Sequence, residues 1–128
     1  MKTEFMYLIH EGKVTDEFAV KIAKTFKDRF MGLMGKSKTS LPDKEGMFFP
    51  KCSSIHCFFM KMPIDVVYLN KEYTVLYKET VKPWHIGKLV KHAVHIVELK
   101  EHAGDGINAG DRMPISENGE WFNRREAG

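Results

Sequence analysis

The chain has only two cysteines, Cys52 and Cys57. Two neighbouring thiols make no disulfide framework, so the fold must rest on an apolar core. Both are expected as free thiols in a reducing, cytoplasmic setting. Long apolar runs are missing too. The longest uncharged stretch in the apolar middle, Cys52 to Met60, falls well short of the roughly 18 residues a membrane span needs. Met1-Lys2-Thr3-Glu4-Phe5 has an early acid and no apolar h-region, which argues against a signal peptide. Strong charge of one sign is absent: 20 Lys and Arg stand against 17 Asp and Glu, a net charge of +3. Residues 1–64 carry 11 basic and 7 acidic groups, and residues 65–128 carry 9 and 10. A basic excess spread over several segments is a solvated surface, which argues against nucleic acid as the partner. Internal repeats and low-complexity segments are absent as well.

What remains is a chain of 128 residues and 14.8 kDa, with 43% hydrophobic residues. That is one domain, 1–128, long enough to bury roughly two-thirds of its unfolded surface. Phe5, Tyr7 and Ile9 alternate with Met6, Leu8 and His10, which predicts a strand buried on both faces and ended by Glu11-Gly12-Lys13. Phe18, Val20 and Ile22 alternate with Ala19, Lys21 and Ala23, a strand with one wet face. The period then changes. Phe26, Phe30, Leu33 and Met34 share one helical face, Thr25 is placed as the N-cap, and Gly35 fits the left-handed position past the end. This predicts a short helix over 25–35.

Gly46 to Pro50, Ile55 to Met60 and Ile64 to Leu69 are short apolar runs with strand character. Asn70-Lys71-Glu72 is a tight turn that returns Tyr73 to Val81 as a hairpin arm. Ala93 to Leu99 is apolar on both faces and therefore central. Ala103 to Gly110, with three glycines, is a surface turn. Asp111 to Ile115 is a last strand, placed at an edge because Pro114 cannot donate to a ladder. The expected fold is α+β and β-dominated: mostly antiparallel strands in a compact barrel-like or sandwich core with one short helix. Phe26, Phe30, Leu33, Phe48, Phe58, Val66, Val94 and Ile96 are expected in the core, and 116–128 as a tail.

Several blocks occur together: Ala23-x-Thr25, Arg29-x-x-Gly32-Leu33-Met34, Gly46-Met47-x-Phe49, and His56-x-Phe58-Phe59-Met60-Lys61-x-Pro63-Ile64-Asp65-Val66. Lys82-Pro83-Trp84, Val97-Glu98-Leu99 and Gly110-Asp111 follow. In this order and spacing the chain, from about Val20 to Ile115, resembles the family called domain of unknown function 192, an uncharacterised bacterial and archaeal family. The resemblance implies a compact β-rich domain with a short helix. It implies no activity, cofactor or catalytic residue.

The richest chemistry lies between Ile55 and Asp65. On a regular strand His56 and Cys57 face opposite sides, and Cys52 stands about 13 Å from His56 at ~3.3 Å per residue. A nucleophile and its base need hydrogen-bond reach, so inert thiols are the default. Asp65 shares parity with Val67 and Leu69, and a buried carboxylate needs a partner. Arg29, Lys61, Arg112 or backbone N–H groups are the candidates. His92 and His95 face opposite ways on a strand, which makes them poor co-ligands, and His95 is expected as a hydrogen-bonded core histidine. Gly104 to Gly110 lacks the ending of a phosphate loop.

No metal and no cofactor is expected. The leading expectation is a non-catalytic module binding a small molecule or a partner protein. Its site is placed at Phe59, Met60, Lys61 and Asp65, with Trp84 on the rim because it follows a proline in a segment without strand periodicity. One alternative is an enzyme using Asp65 with His56 or Lys61 as acid and base. The other is a single-stranded nucleic-acid module, which requires an exposed basic and aromatic face.

Overall fold

The computed structural model describes residues 2–23, 44–52 and 62–116. Seven strands appear there: β1 (Thr3–His10), β2 (Lys13–Ile22), β3 (Glu45–Phe49), β4 (Ile64–Leu69), β5 (Val75–Val81), β6 (His95–Lys100) and β7 (Ile115–Ser116). The β1–β2 hairpin turns at Glu11-Gly12, whose φ values of 49° and 79° are both positive, as a two-residue type I′ turn requires. The β4–β5 turn is built by Asn70, whose side-chain oxygen accepts the N–H groups of Glu72 and Thr74, both at 2.9 Å.

The strands form a single sheet in the order β5-β4-β6-β3-β2-β1-β7. Every neighbouring pair is antiparallel except β2 and β3, which run parallel. β dominance and mostly antiparallel pairing match the expectation. A barrel-like closure is not seen, because among the described residues the seven strands do not close into a barrel. The edges of the sheet nevertheless approach each other. Ile9 and Arg112 exchange backbone hydrogen bonds at 2.8 and 3.0 Å, while Val75 donates to Asp111 and Met113 donates to Tyr73, each at 2.8 Å. A stretch containing Pro114 cannot extend these contacts into a ladder. The last strand shrinks to Ile115–Ser116, on the sheet edge as expected.

Alternation assigns each side chain to a face. Met6, Phe18, Val20, Phe48, Val67 and Leu99 build a cluster on one face, joined by Ile107 and Met113. Met47, Phe49, Ile64, Val66, Tyr68 and Ile96 build a second cluster on the other. β4 is therefore buried at all six positions. Phe48, Val66 and Ile96 sit in the core as expected. Val94 is only half-buried. Its backbone carries the contacts: its N–H bonds Leu69 and its carbonyl accepts from Cys52, both at 2.8 Å. The expected helix over 25–35, the strand over 55–60 and the core residues Phe26, Phe30, Leu33 and Phe58 lie outside the described residues.

Two connections follow from the strand order. β5 and β6 both oppose β4, so they run parallel to each other, and residues 82–94 must cross β4 between them. They cross on the face of the second cluster, against which Val90 and Ala93 pack.

Gly46 shows how tightly β3 is held. A Cβ there runs into the Glu98 carbonyl oxygen and comes within 2.7 Å of Leu99 Cδ2. Gly46→Ala must push β3 away from β6, so it is expected to lower stability by about 2–3 kcal/mol in chemical denaturation. A wild-type denaturation curve for this variant would show that the two strands are not in this register.

Candidate functional site

Asp65 is the expected site residue that the structure describes most completely. It lies on β4, 3% exposed. One carboxylate oxygen accepts the Thr80 hydroxyl at 2.8 Å and the other accepts the Gly104 N–H at 2.9 Å. No arginine or lysine among the described residues bonds it. Thr80 is its cross-strand neighbour on β5, so the sheet register makes the first bond. The second bond draws in the turn over 101–106. Lys78 tightens that turn from outside, reaching the Gly104 carbonyl at 2.8 Å and the Asp105 carbonyl at 3.3 Å. Gly104 is buried, and a Cβ there would stand 3.0 Å from Asp65 Oδ2. The turn expected at the surface is thus pinned to the sheet, and Ile107 after it is fully buried.

The second carboxyl of interest is one that sequence reasoning did not weigh. Glu98 is central on β6, between Met47 of β3 and Val66 of β4, on the face of the second cluster. It is 3% exposed. Burial among apolar neighbours pushes its carboxyl up to about 8, so the neutral acid persists through the neutral range. The signal available in sequence was parity: Glu98 shares a face with Ile96 in a run otherwise covered on both sides.

Two histidines take opposite roles. His95 is buried and accepts the Lys51 N–H on Nδ1 at 3.1 Å, so its proton sits on Nε2. Its ring stacks on Tyr73, with centroids 4.9 Å apart, and tilts against Phe48 at 5.4 Å. Burial, helped by the Lys51 charge, lowers its pKa and keeps it neutral. His10, at the end of β1, places Nδ1 2.7 Å from Asp111 Oδ1. That hydrogen bond and the carboxylate's charge raise the imidazole pKa. Asp111 is buried and also accepts the Asn108 N–H at 3.0 Å. Neither His10 nor Asp111 stood among the expected site residues.

Trp84 is the other described member of the expected site. The hairpin register sets Pro63 and Lys82 at the same end, because Ile64 pairs with Val81. Trp84 follows with φ +66°, a conformation bulky residues rarely adopt, and is 65% exposed. Ile86 and Leu89 are 60% and 75% exposed. Glu79 fastens this segment to the sheet, accepting the Lys88 N–H at 2.7 Å and the Tyr68 hydroxyl at 2.6 Å. Lys88 lays its ammonium 4.9 Å from the Tyr77 ring centroid. A half-open depression of ≈ 360 Å³ lies beside the β4–β5 turn, lined by Asn70, Lys71, Glu72, His92, Ala93 and Val94. His56, Phe59, Met60 and Lys61 lie outside the described residues, as does Cys57.

Residues 7–115 match the model of the domain-of-unknown-function family 192, described as uncharacterised ACR. The chain belongs to this family. A UPF0127 protein from Pyrococcus abyssi is 34% identical over 113 residues, covering 78% of this chain and 94% of the relative. One from Pyrococcus horikoshii is 34% identical over 114 residues, covering 78% and 96%. Two solved structures share the fold. One, described as a putative transcription regulator from Sinorhizobium meliloti, has a TM-score of 0.79 at 20% identity and covers 89% of this chain and 94% of that one. The other, a protein of unknown function from Novosphingobium aromaticivorans, has a TM-score of 0.76 at 19% identity and covers 88% and 84%.

Family 192 motifs acquire physical reasons in this chain. Gly46 admits the Glu98 carbonyl, Asp65 pins the turn over 101–106, and Asp111 orients His10. Lys82-Pro83-Trp84 opens the exposed segment.

Proposed function

We propose that this domain is a non-catalytic binding module that docks through residues 82–91. What carries the reading is the exposure of Trp84, Ile86 and Leu89, when most other large apolar side chains among the described residues are buried. Among the described residues the other exposed large hydrophobics are Val14 and Tyr77, at 44% and 37%. Large apolar side chains left exposed together in one short segment are the kind of feature that marks interaction sites. The segment is also pre-shaped, because the bond from Glu79 to the Lys88 N–H and the packing of Val90 and Ala93 hold its inner side. A pre-shaped surface loses less freedom on binding. The catalytic alternative gains nothing comparable, since Asp65 spends both oxygens on Thr80 and Gly104.

The reading predicts that the triple variant Trp84→Ser/Ile86→Ser/Leu89→Ser folds and melts like the wild type, within about 0.5 kcal/mol per substitution. Chemical denaturation of the purified chain measures this. A loss of several kcal/mol would show that these side chains belong to the core and would end the docking reading.

A further inference from the structure

The exposed segment also has a charge pattern. Between Glu79 and Glu98 the chain contains no acidic residue, and it holds Lys82, Lys88 and Lys91. All three lysines are exposed. In sequence they interleave with the exposed Trp84, Ile86 and Leu89, and the one acid shown against the segment, Glu79, spends an oxygen on the Lys88 N–H and the Tyr68 hydroxyl. Tyr77 lies under Lys88 at the edge of the same patch.

Three kinds of occupant fit an exposed apolar surface, and the pattern separates them. A protein partner of ordinary affinity uses about 20–30 residues a side, whereas this segment offers three large apolar side chains within six positions. A single-stranded nucleic acid needs aromatic faces for successive bases; Trp84 and Tyr77 offer such faces, but the two most exposed aliphatic side chains here, Ile86 and Leu89, offer none. A bilayer surface asks for an indole at the headgroup level, aliphatic side chains below it and lysines that reach phosphates. Residues 82–91 supply all three kinds of side chain in exposed form: Trp84, then Ile86 with Leu89, and Lys82, Lys88 and Lys91.

We propose, resting on the docking reading above, that residues 82–91 bind the surface of an anionic phospholipid bilayer. Trp84, Ile86 and Leu89 enter the boundary between headgroups and acyl chains. Lys82, Lys88 and Lys91 lie against the lipid phosphates, their aliphatic stems covering apolar surface while the ammonium groups stay wet. The association is peripheral and reversible, because a few side chains and three charges fall far short of a spanning segment.

The test uses the full chain with Trp121→Phe, so that Trp84 is the only indole. It is mixed with vesicles of phosphatidylcholine alone or of phosphatidylcholine with one quarter phosphatidylserine. Sedimentation with the anionic vesicles at low salt, a blue shift of Trp84 emission, and loss of both at 0.5 M salt are expected. Lys82→Gln/Lys88→Gln/Lys91→Gln should weaken vesicle binding about 100-fold, at roughly fivefold per lysine. Trp84→Ser/Ile86→Ser/Leu89→Ser should weaken it at least tenfold. Equal binding to both vesicle types, or binding untouched by either triple variant, would overturn the proposal. So would a wild-type chain that ignores vesicles but self-associates or binds oligothymidylate through this segment. That outcome removes the membrane and keeps the docking surface, whereas a serine variant that melts far below the wild type removes both.

Discussion

Glu98→Gln is expected to stabilise the domain by on the order of 4 kcal/mol at pH 9 and to change little near pH 4. Glu98 is buried beside Met47 and Val66, and its carboxyl ionises near 8 instead of 4.5. Between those values the unfolded chain has released this proton and the folded chain has kept it. Stability therefore falls as pH rises from about 4.5 to about 8, and the full penalty applies above that. Every tenfold weakening of the acid on folding is worth about 1.4 kcal/mol, which sets the size of the effect. Glutamine has nearly the shape of the neutral acid and never ionises, so its stability should be flat across this window. Urea denaturation of both proteins at pH 4, 6, 7, 8 and 9 measures the divergence. Parallel curves would mean that Glu98 meets solvent or a cation in the folded chain.

Asp65→Ala is expected to cost about 3–5 kcal/mol. The substitution removes two hydrogen bonds to a buried carboxylate, each worth about 1.5–3 kcal/mol, and leaves the Gly104 N–H without its acceptor. Asp65→Asn should lose only about 1–2 kcal/mol. Its amide oxygen still accepts from Gly104, and its amide N–H can donate to the Thr80 hydroxyl, which accepts as well as donates. Denaturation of Thr80→Val, alone and combined with Asp65→Ala, isolates the Thr80 share as a non-additive coupling. If Asp65→Ala melts like the wild type, the turn over 101–106 is not held by Asp65, and the carboxylate is available for a role in binding.

Both predictions turn on acids that the sequence marks differently. Asp65 announces itself, because an acid at an apolar parity position must have a partner. Its partners were not readable. Thr80 is chosen by the register of β4 on β5, and Gly104 by how a turn 39 residues away folds back. Glu98 sits in an equally apolar run, yet its isolation depends on Met47 and Val66, which come from two other strands. The exposed segment was partly legible. A tryptophan after a proline, outside any strand period, predicted an indole away from the core. The exposure of Ile86 and Leu89 was not predicted, because the crossing over β4 decides which side of the segment is inner and which is outer.

The sequence by itself determined the local elements. Period-two alternation placed β1 and β2, continuous apolar runs placed β3, β4 and β6, Asn70-Lys71-Glu72 placed the hairpin turn, and Pro114 put the last strand at an edge. These follow from neighbours in the chain, where side-chain geometry and backbone sterics act directly. Only the tertiary structure decided that the described strands do not close into a barrel, that β2 and β3 run parallel, and that residues 110–115 touch both edges. Such pairings join distant segments, and the same alternating pattern satisfies a barrel, a sandwich or an open sheet. The choice among them rests on which faces the connections cover, and no local period encodes that.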